Sequence, residues 1–479
     1  MKKVMPMKTK IHILLILLML ILGLSGCGSK IEVKSENNVF SFSKLNDLIY
    51  ELNIPDGEFS HLEGNNISDG DYLLIDDKLI IKKAYLTTLN PGEYEYSVVT
   101  TIGKKNIEVK IADENQKYQL INGDFETGDL FGWSVFTIFK GEDNIQSFVE
   151  EGIKENTTFF TFEVPYNGDG KYVYGLDDRD GLNKDRWNER MGMMRSSVFE
   201  LGGSGFISFK LGGAKNQDLS YISIRDAKTD YELARFSNPK FNTTNFTIDP
   251  ENYYEANLVL YKADLKQYLG QSLYLEICDF GGRDWDLLTF DSFITYHPSE
   301  PLGELAVDIK PEFSQSYITN QIPNGDFSQN LDFWTVSNAM AWENNLAFYT
   351  DNGVLKSNVN GDEARGLVRS SLFRIDGSGI ISFEIGAAKG ARYDKDTYIS
   401  IREEKTNREI LRIANTRNNG SDLIKYYVDL SEHMGKNVYL EIVDNARNSY
   451  DAIFVANIIT YYAVKPEYDF GQAGINLNY

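Results

Sequence analysis

The sequence predicts an all-β protein, an immunoglobulin-like sandwich followed by two jelly-roll β-sandwiches. Three observations carry this. Tyrosine (29), phenylalanine (28) and glycine (39) are abundant while proline is sparse at 11, the composition of twisted strands joined by turns. Short runs alternate apolar and polar residues between clusters of Gly, Asn and Asp, which marks half-buried antiparallel strands. A long internal repeat also divides most of the chain in two, and no long stretch sustains helical periodicity.

The first element is a leader. Lys2, Lys3, Lys8 and Lys10 precede an apolar run from Ile11 to Leu24, and Leu24-Ser25-Gly26-Cys27 follows. A basic start, a short apolar core and small residues before a cut form a secretory signal, too short to span a bilayer comfortably. Such a leader is expected to be removed, and it covers residues 1–26 if the cut falls before Cys27, as the resemblance named below implies. Cys278 is the one other cysteine, so the exported part has no internal disulfide and relies on core burial. The formal charge of −22 becomes more acidic once the four leader lysines are lost. That argues against nucleic acid or an anionic bilayer surface as a partner.

The next element, 27–115, is expected to be the immunoglobulin-like sandwich. In residues 69–111, Asp76-Asp77 joins two strand-like runs as a tight turn, and Asn90-Pro91-Gly92 precedes the alternating EYEYSVVT. Several short strands in so little chain suit that fold.

The repeat supplies the rest. NGDFETGDLFGW at 122–133 matches NGDFSQNLDFW at 324–334. LGGSGFISFKLGGAK at 201–215 matches IDGSGIISFEIGAAK at 375–389, and YISIRDAKTDYELAR at 221–235 matches YISIREEKTNREILR at 398–412. The segments from Glu276 to Tyr296 and from Glu441 to Tyr461 are equally long, but Asn122 to Arg195 is far longer than Asn324 to Arg369. Copy one, 119–298, thus carries an insertion. A linker, 299–318, leads to copy two, 319–463, and each copy is long enough for its own core. The tail, 464–479, has little pattern and is expected to be loosely ordered. Trp133 and Trp334 recur after the opening motif and read as core. Cys278 stands where copy two has Val443 and reads as a small buried hydrophobe. Arg195 and Arg369 open matching strands and are expected to pair with Glu189 and Glu363, or with Glu276 and Glu441.

Three resemblances follow from these residues. Leu24-Ser25-Gly26-Cys27 resembles the lipobox of bacterial lipoproteins, which implies a diacylglycerol on Cys27 and a place on the extracellular face of a cell membrane. The paired RSS-x-F and GGSG-x-ISF-x-LGGAK blocks resemble the galactose-binding-like jelly-roll domain that accompanies fructan-cleaving glycoside hydrolases of family 32. The DGDY…YLTTLNPGEYEYSV segment resembles immunoglobulin-like X-modules. The hydrolase propeller and its carboxylate motifs have no counterpart here. The resemblance therefore implies a non-catalytic carbohydrate-binding protein, with fructan as one ligand and a glycoside hydrolase or transporter as partner. A structural or adhesive protein and an accessory glycoside hydrolase stand as alternatives, because fold analogy does not fix function.

The resemblance also implies a structural calcium in copy one, held by Glu126 of NGDFET and Asp291 of FDSF, because calcium collects hard oxygens. Copy two has Ser328 and Ala456 there, so both ligands are missing together. The alternative is two ordinary surface carboxylates. Sugar binding needs aromatic rings and fixed polar groups. The candidates are Tyr172, Tyr174 and Trp187 in the insertion, with Trp285 and Asp286 in the GGRDWD loop; rim or core packing is the alternative for each. The four histidines lack metal-ligand spacing, and no nucleophile elbow or phosphate loop occurs.

Overall fold

The computed structural model describes residues 30–35, 37–41, 45–112, 115–137, 148, 150–156, 168–175, 192–214, 216–240, 258–280, 288–315, 317–338, 347–358, 366–387, 397–415, 420–446, 452–469 and 474. Cys27, Trp187, Glu189, Trp285, Asp286 and Glu363 lie outside the described residues. The fold is all-β, with one short helix α1 (Lys83–Leu86) and several 3-10 turns. The chain forms two compact units, 1–116 and 117–479.

The first unit is a sandwich of two four-stranded sheets. One runs β1 (Glu32–Ser35), β3 (Leu48–Asn53), β6 (Lys78–Ile81), β5 (Tyr72–Ile75); the other runs β2 (Val39–Phe40), β8 (Gly103–Ile111), β7 (Gly92–Thr100), β4 (Phe59–Glu63). Alternation puts Leu48, Tyr50, Leu79 and Ile81 of one sheet and Tyr96, Val98 and Val109 of the other in its interior. Asp76 and Asp77 both take positive φ, 46° and 61°, and close the β5–β6 hairpin as expected.

The second unit holds two sandwiches with separate cores. In copy one, one sheet runs β10 (Ile153–Glu155), β11 (Tyr172–Tyr174), β19 (Leu288–Ile294), β14 (Phe206–Gly213), β17 (Val259–Asp264), β20 (Glu304–Leu305). The facing sheet runs β16 (Glu232–Phe236), β15 (Ser220–Asp226), β18 (Ser272–Asp279), β12 (Gly192–Arg195), β9 (Ser134–Thr137), with β13 (Phe199–Glu200) beside β18. Copy two repeats this plan. Its first sheet runs β22 (Tyr349–Asp351), β23 (Val354–Lys356), β31 (Ile453–Ile459), β26 (Ile380–Ala387), β29 (Ile424–Asp429). Its second runs β28 (Glu409–Ile413), β27 (Thr397–Glu403), β30 (Asn437–Asp444), β24 (Gly366–Arg369), β21 (Thr335–Asn338), with β25 (Phe373–Arg374) beside β30.

The opening motif is a plug for each sandwich. Asn122 and Asn324 take positive φ, and their side-chain amides donate to Asp129 O and Phe131 O, and to Asn330 O and Asp332 O. Their carbonyls accept Trp133 Nε1 at 3.0 Å and Trp334 Nε1 at 3.2 Å, which seats both tryptophans in the core. Gly123 and Gly325 must lack a side chain, because a Cβ there would overlap the carbonyl oxygens of Phe293 and Ile458. Those oxygens lie at a β-bulge present in both copies, where Ser292 and Asn457 have φ of 55° and 49°.

Two expectations are corrected by the packing. Strands β15, β18, β27 and β30 are buried on both faces, not one. The inner faces fill the cores with Ile222, Ile224, Leu275 and Ile277, and with Ile399, Ile401, Leu440 and Ile442. The outer faces meet across a seam between the copies. There Leu219 and Phe280 pack with Leu367, Tyr398, Ala414 and Val443. Arg408 Nη1 donates to Glu276 at 2.6 Å, Arg408 Nε donates to Asp230 at 2.9 Å, and Arg225 donates to Thr406 O at 2.5 Å. The tail is also less loose than expected where it is described. Gly474 N donates to Tyr427 O at 2.8 Å, and Tyr468 stacks on Tyr427 at 4.5 Å. The linker treats copy one alike, since β20 pairs with β17 and Ile309 N donates to Arg235 O.

Candidate functional site

Much of the insertion of copy one falls in the connection from β10 to β11. Residues 156–171 join β10 to β11, where Asn352 and Gly353 alone join β22 to β23. The described end of this long loop, 168–171, passes between the two carboxylates singled out from the sequence. Glu126 Oε1 accepts the backbone N–H of Lys171 and of Tyr172, each at 2.8 Å. Asp291 Oδ2 accepts the N–H of Asp169 at 2.6 Å, and its Oδ1 accepts its neighbour Ser292 N at 2.7 Å. Asn156 closes the loop from below, donating to Gly168 O at 2.8 Å and Gly170 O at 3.2 Å. Gly170, at φ +63°, sits so near Glu126 that a Cβ would overlap the carboxylate.

A second layer of charge fixes the loop tip. Lys210 Nζ donates to Asp169 Oδ1 at 2.6 Å, and Ser292 Oγ donates to Asp169 Oδ2 at 2.7 Å. Burial works against the Asp169 carboxylate, but the Lys210 and Ser292 bonds outweigh it and hold its pKa below the ordinary value. Asp291 is fully buried. Desolvation pushes its pKa up to about 7, aided by the nearby Asp169 charge and opposed by the amide bonds and Lys210. In copy two this set is dismantled: Glu384 stands for Lys210, Ala456 for Asp291 and Asn457 for Ser292, and Asn457 donates to Glu384 at 2.9 Å.

These contacts bring Glu126, Asp291 and Tyr172 together around one loop. Each carboxylate points an oxygen at backbone amide hydrogens of the loop. Among the described residues no group of three acidic, His or Cys side chains could hold a metal.

Tyr172 stands half-buried at the loop's exit, its edge against Gly128 and the Lys171 ammonium 4.5 Å from its ring centre. Tyr174 is a correction to the expected ligand set. It points to the same side two residues on, but there the strand has entered the sandwich. It pairs in register with Phe290 and stacks on it at 4.5 Å, fully buried, with no face left for a ligand.

Of the two pairings expected for Arg195 and Arg369, the structure shows the second: Arg195 Nε donates to Glu276 at 2.7 Å and Arg369 Nε donates to Glu441 at 3.0 Å. Cys278 is buried, and desolvation raises its thiol pKa well above the ordinary value, which makes it inert. Sequence reasoning missed Asp169, Lys210 and Asn156. Lys210 and Glu384 differ in charge within otherwise matched blocks, and that difference was the available signal. No helix among the described residues is long and apolar enough to cross a membrane.

No family model matches the chain, and no curated protein matches it. Several solved structures align with it. The K3 cleaved adhesin domain of Lys-gingipain from Porphyromonas gingivalis is 13% identical, with a TM-score of 0.20, over 29% of this chain and 97% of that one. The N-terminal CBM22-1-CBM22-2 tandem domain from Paenibacillus barcinonensis Xyn10C is 11% identical, with a TM-score of 0.16, over 71% of this chain and 96% of that one. The tandem CBM51 modules of the family 98 glycoside hydrolase from Streptococcus pneumoniae are 12% identical, with a TM-score of 0.15, over 68% and 96%. Scores this low say nothing about ligand or chemistry, and the sandwich architecture rests on the strand pairing itself.

Proposed function

We propose that this chain is a lipid-anchored surface protein that binds carbohydrate through the loop rim of copy one and does no chemistry on it. The observation that carries the reading is the loop 168–172, pinned at one end by Glu126 and at the other by Asp291. A segment such as 168–172, held in advance by two carboxylates, has already met its ordering cost, which is what a weak polar ligand requires of its site. The rim offers a ring, Tyr172, with a lysine beside it. The Lys171 side chain is 61% exposed, so moving it off the ring for a sugar costs little. Copy two has a two-residue turn in place of the loop, and its role in this reading is to support copy one. The membrane anchor on Cys27, and a hydrolase or transporter as partner, belong to the same proposal.

The test is a glycan-array and polysaccharide screen of the chain from residue 28 onward, with and without a calcium chelator. Saturable binding to one glycan class supports the reading. A folded protein that binds no glycan contradicts it and favours an adhesive role with protein partners. Binding unchanged by the chelator removes calcium from the account and leaves the rest.

A further inference from the structure

The two outer faces of the first sandwich differ in kind. On the β2-β8-β7-β4 sheet the outward side chains are polar and bond to one another. Asn106 donates to Glu95 at 2.9 Å and accepts Ser97 Oγ at 2.8 Å, and Lys104 Nζ donates to Glu63 at 2.6 Å. On the β1-β3-β6-β5 sheet an apolar row crosses the middle. Ile49, Ile80 and Leu73 lie side by side on three strands, and Ile75 follows on the edge strand. Ile49, Leu73, Leu74 and Ile75 are between 43% and 52% exposed. Their open surface comes to roughly 350 Å², comparable to the largest apolar patch on a typical monomer, and such patches often mark contact sites.

Charge flanks this row in a self-complementary order. Along β3 and the residue before it, the outward side chains are Asp47, Ile49 and Glu51; along β6 and the residue after it, they are Lys82, Ile80 and Lys78. Ile49 stands opposite Ile80 and Glu51 opposite Lys78 in register. One strand thus reads acid, isoleucine, acid, and its neighbour lysine, isoleucine, lysine. Among the described residues of this unit, the lysine ion pairs join Lys104 to Glu63 and Lys110 to Glu93, both on the other sheet. A two-fold axis between β3 and β6, parallel to the strands, lays β3 of each copy over β6 of the other. Ile49 then meets the partner's Ile80, Glu51 meets the partner's Lys78, and Asp47 meets the partner's Lys82. An axis across the strands would instead set Glu51 over the partner's Asp47 and Lys78 over the partner's Lys82, so charge selects the first arrangement. Shape agrees with it. A groove of about 650 Å³ beside β1 is lined by Lys34, Asn37, Val39, Ile49 and Lys78. The same axis carries the partner's Leu73 and the partner's Ile75, on the exposed edge strand β5, over that side of the sheet.

We infer that the outer face of the β1-β3-β6-β5 sheet is a dimer interface, covered by the same face of a second copy of this chain. The pairing is isologous, so each contact is made twice. Two sheets pack face to face with their strands nearly aligned, as an axis parallel to the strands requires. An apolar patch of this size, rimmed by charge pairs, falls at the low end of specific interfaces, so the dimer is weak and reversible. Each dimer carries two 168–172 rims. On the function proposed above, two weak sites then act together on a repeating glycan.

The experiment is sedimentation equilibrium of the chain from residue 28 onward, beside variants changed only at exposed positions. The parent is expected to dimerise with a Kd of about 100 µM. Lys78→Glu and Glu51→Lys each set like charges face to face twice, and each is expected to weaken self-association about tenfold. An equimolar mixture of the two variants restores opposite charge across the interface and is expected to dimerise as well as the parent. A cross-strand effect within one chain cannot produce that rescue, because every chain in the mixture still carries like charges side by side. Glu95→Lys, on the other sheet, is expected to leave association unchanged. A parent that stays monomeric up to about 1 mM overturns the inference and gives the face to a partner of another kind. Variants that dimerise as the parent does, or a mixture no better than its components, also overturn it. The contacts use the first unit alone, so failure here leaves glycan binding at copy one untouched.

Discussion

Replacing Asp291 by Asn separates the roles of its charge and its shape. The folded carboxyl has a pKa of about 7 against an ordinary 3.8. The folded state therefore holds its proton more tightly than the unfolded state. The stabilisation from that proton is complete below the ordinary value and is lost as pH rises to 7. At about 1.4 kcal/mol per unit, the three or so units amount to about 4 kcal/mol in all, of which about 2–3 kcal/mol falls between pH 5 and 8. The groups facing it are Asp169, which raises the value, and Lys210, which lowers it. Asn does not titrate, but its NH2 must face the N–H of Asp169 or of Ser292, which costs about 1–3 kcal/mol. The variant should thus be less stable than the parent at pH 5 and equal or better at pH 8. Calorimetric unfolding of both proteins from pH 5 to 8 measures this, at roughly 2–4 °C per kcal/mol. A parent curve no steeper than that of Asp291→Asn would refute the burial argument. A parent curve flattened by added calcium, with the variant unaffected, would show a cation taking the place of the proton.

Other perturbations address the fold. Arg408→Met removes the seam ion pairs to Glu276, 1% exposed, and to Asp230, 41% exposed. The expected loss is about 2–3 kcal/mol, less than for a wholly buried pair because Asp230 is solvated. The copies should then unfold in two calorimetric steps where the parent shows one. Gly123→Ala pushes a Cβ into the Phe293 carbonyl and should cost more than about 3 kcal/mol or prevent folding. Gly270→Ala, at φ +80° with open space around it, should cost only about 1–2 kcal/mol, and urea titration ranks the two. Trp334→Phe gives up the bond to Asn324 O and should cost about 1 kcal/mol plus lost packing, by the same titration.

The parts of the fold that were legible share one property, that a local pattern determines them. Asp76-Asp77 makes its turn because two short polar residues tolerate positive φ. The recurrence of Asn-Gly-x-Phe followed by Trp revealed a structural plug because the same contacts form twice. The seam was not legible. In YISIRDA and LYLEICD, a face of Tyr, Ser, Arg and Glu alternates with a face of isoleucine and leucine, and such a face ordinarily meets water. Here it meets its own duplicate, and Arg225, Arg402, Glu276 and Glu441 neutralise one another in burial. That the same charged residues recur at matching positions was the available clue. Within the site, Glu126 and Asp291 were found through a calcium analogy, yet their visible task is to hold backbone amides. Tyr174 was misread because a ring's exposure depends on how far along the strand it lies, which composition does not encode.

The most direct test of the central claim is a binding titration of the glycan class that the screen selects. The parent would be compared with Tyr172→Ala in the rim of copy one and Tyr349→Ala in the hairpin of copy two. Affinity is expected to fall about tenfold or more for Tyr172→Ala and to stay unchanged for Tyr349→Ala, with little change in unfolding temperature for either. Equal affinities for all three proteins, or a loss confined to Tyr349→Ala, would contradict the claim.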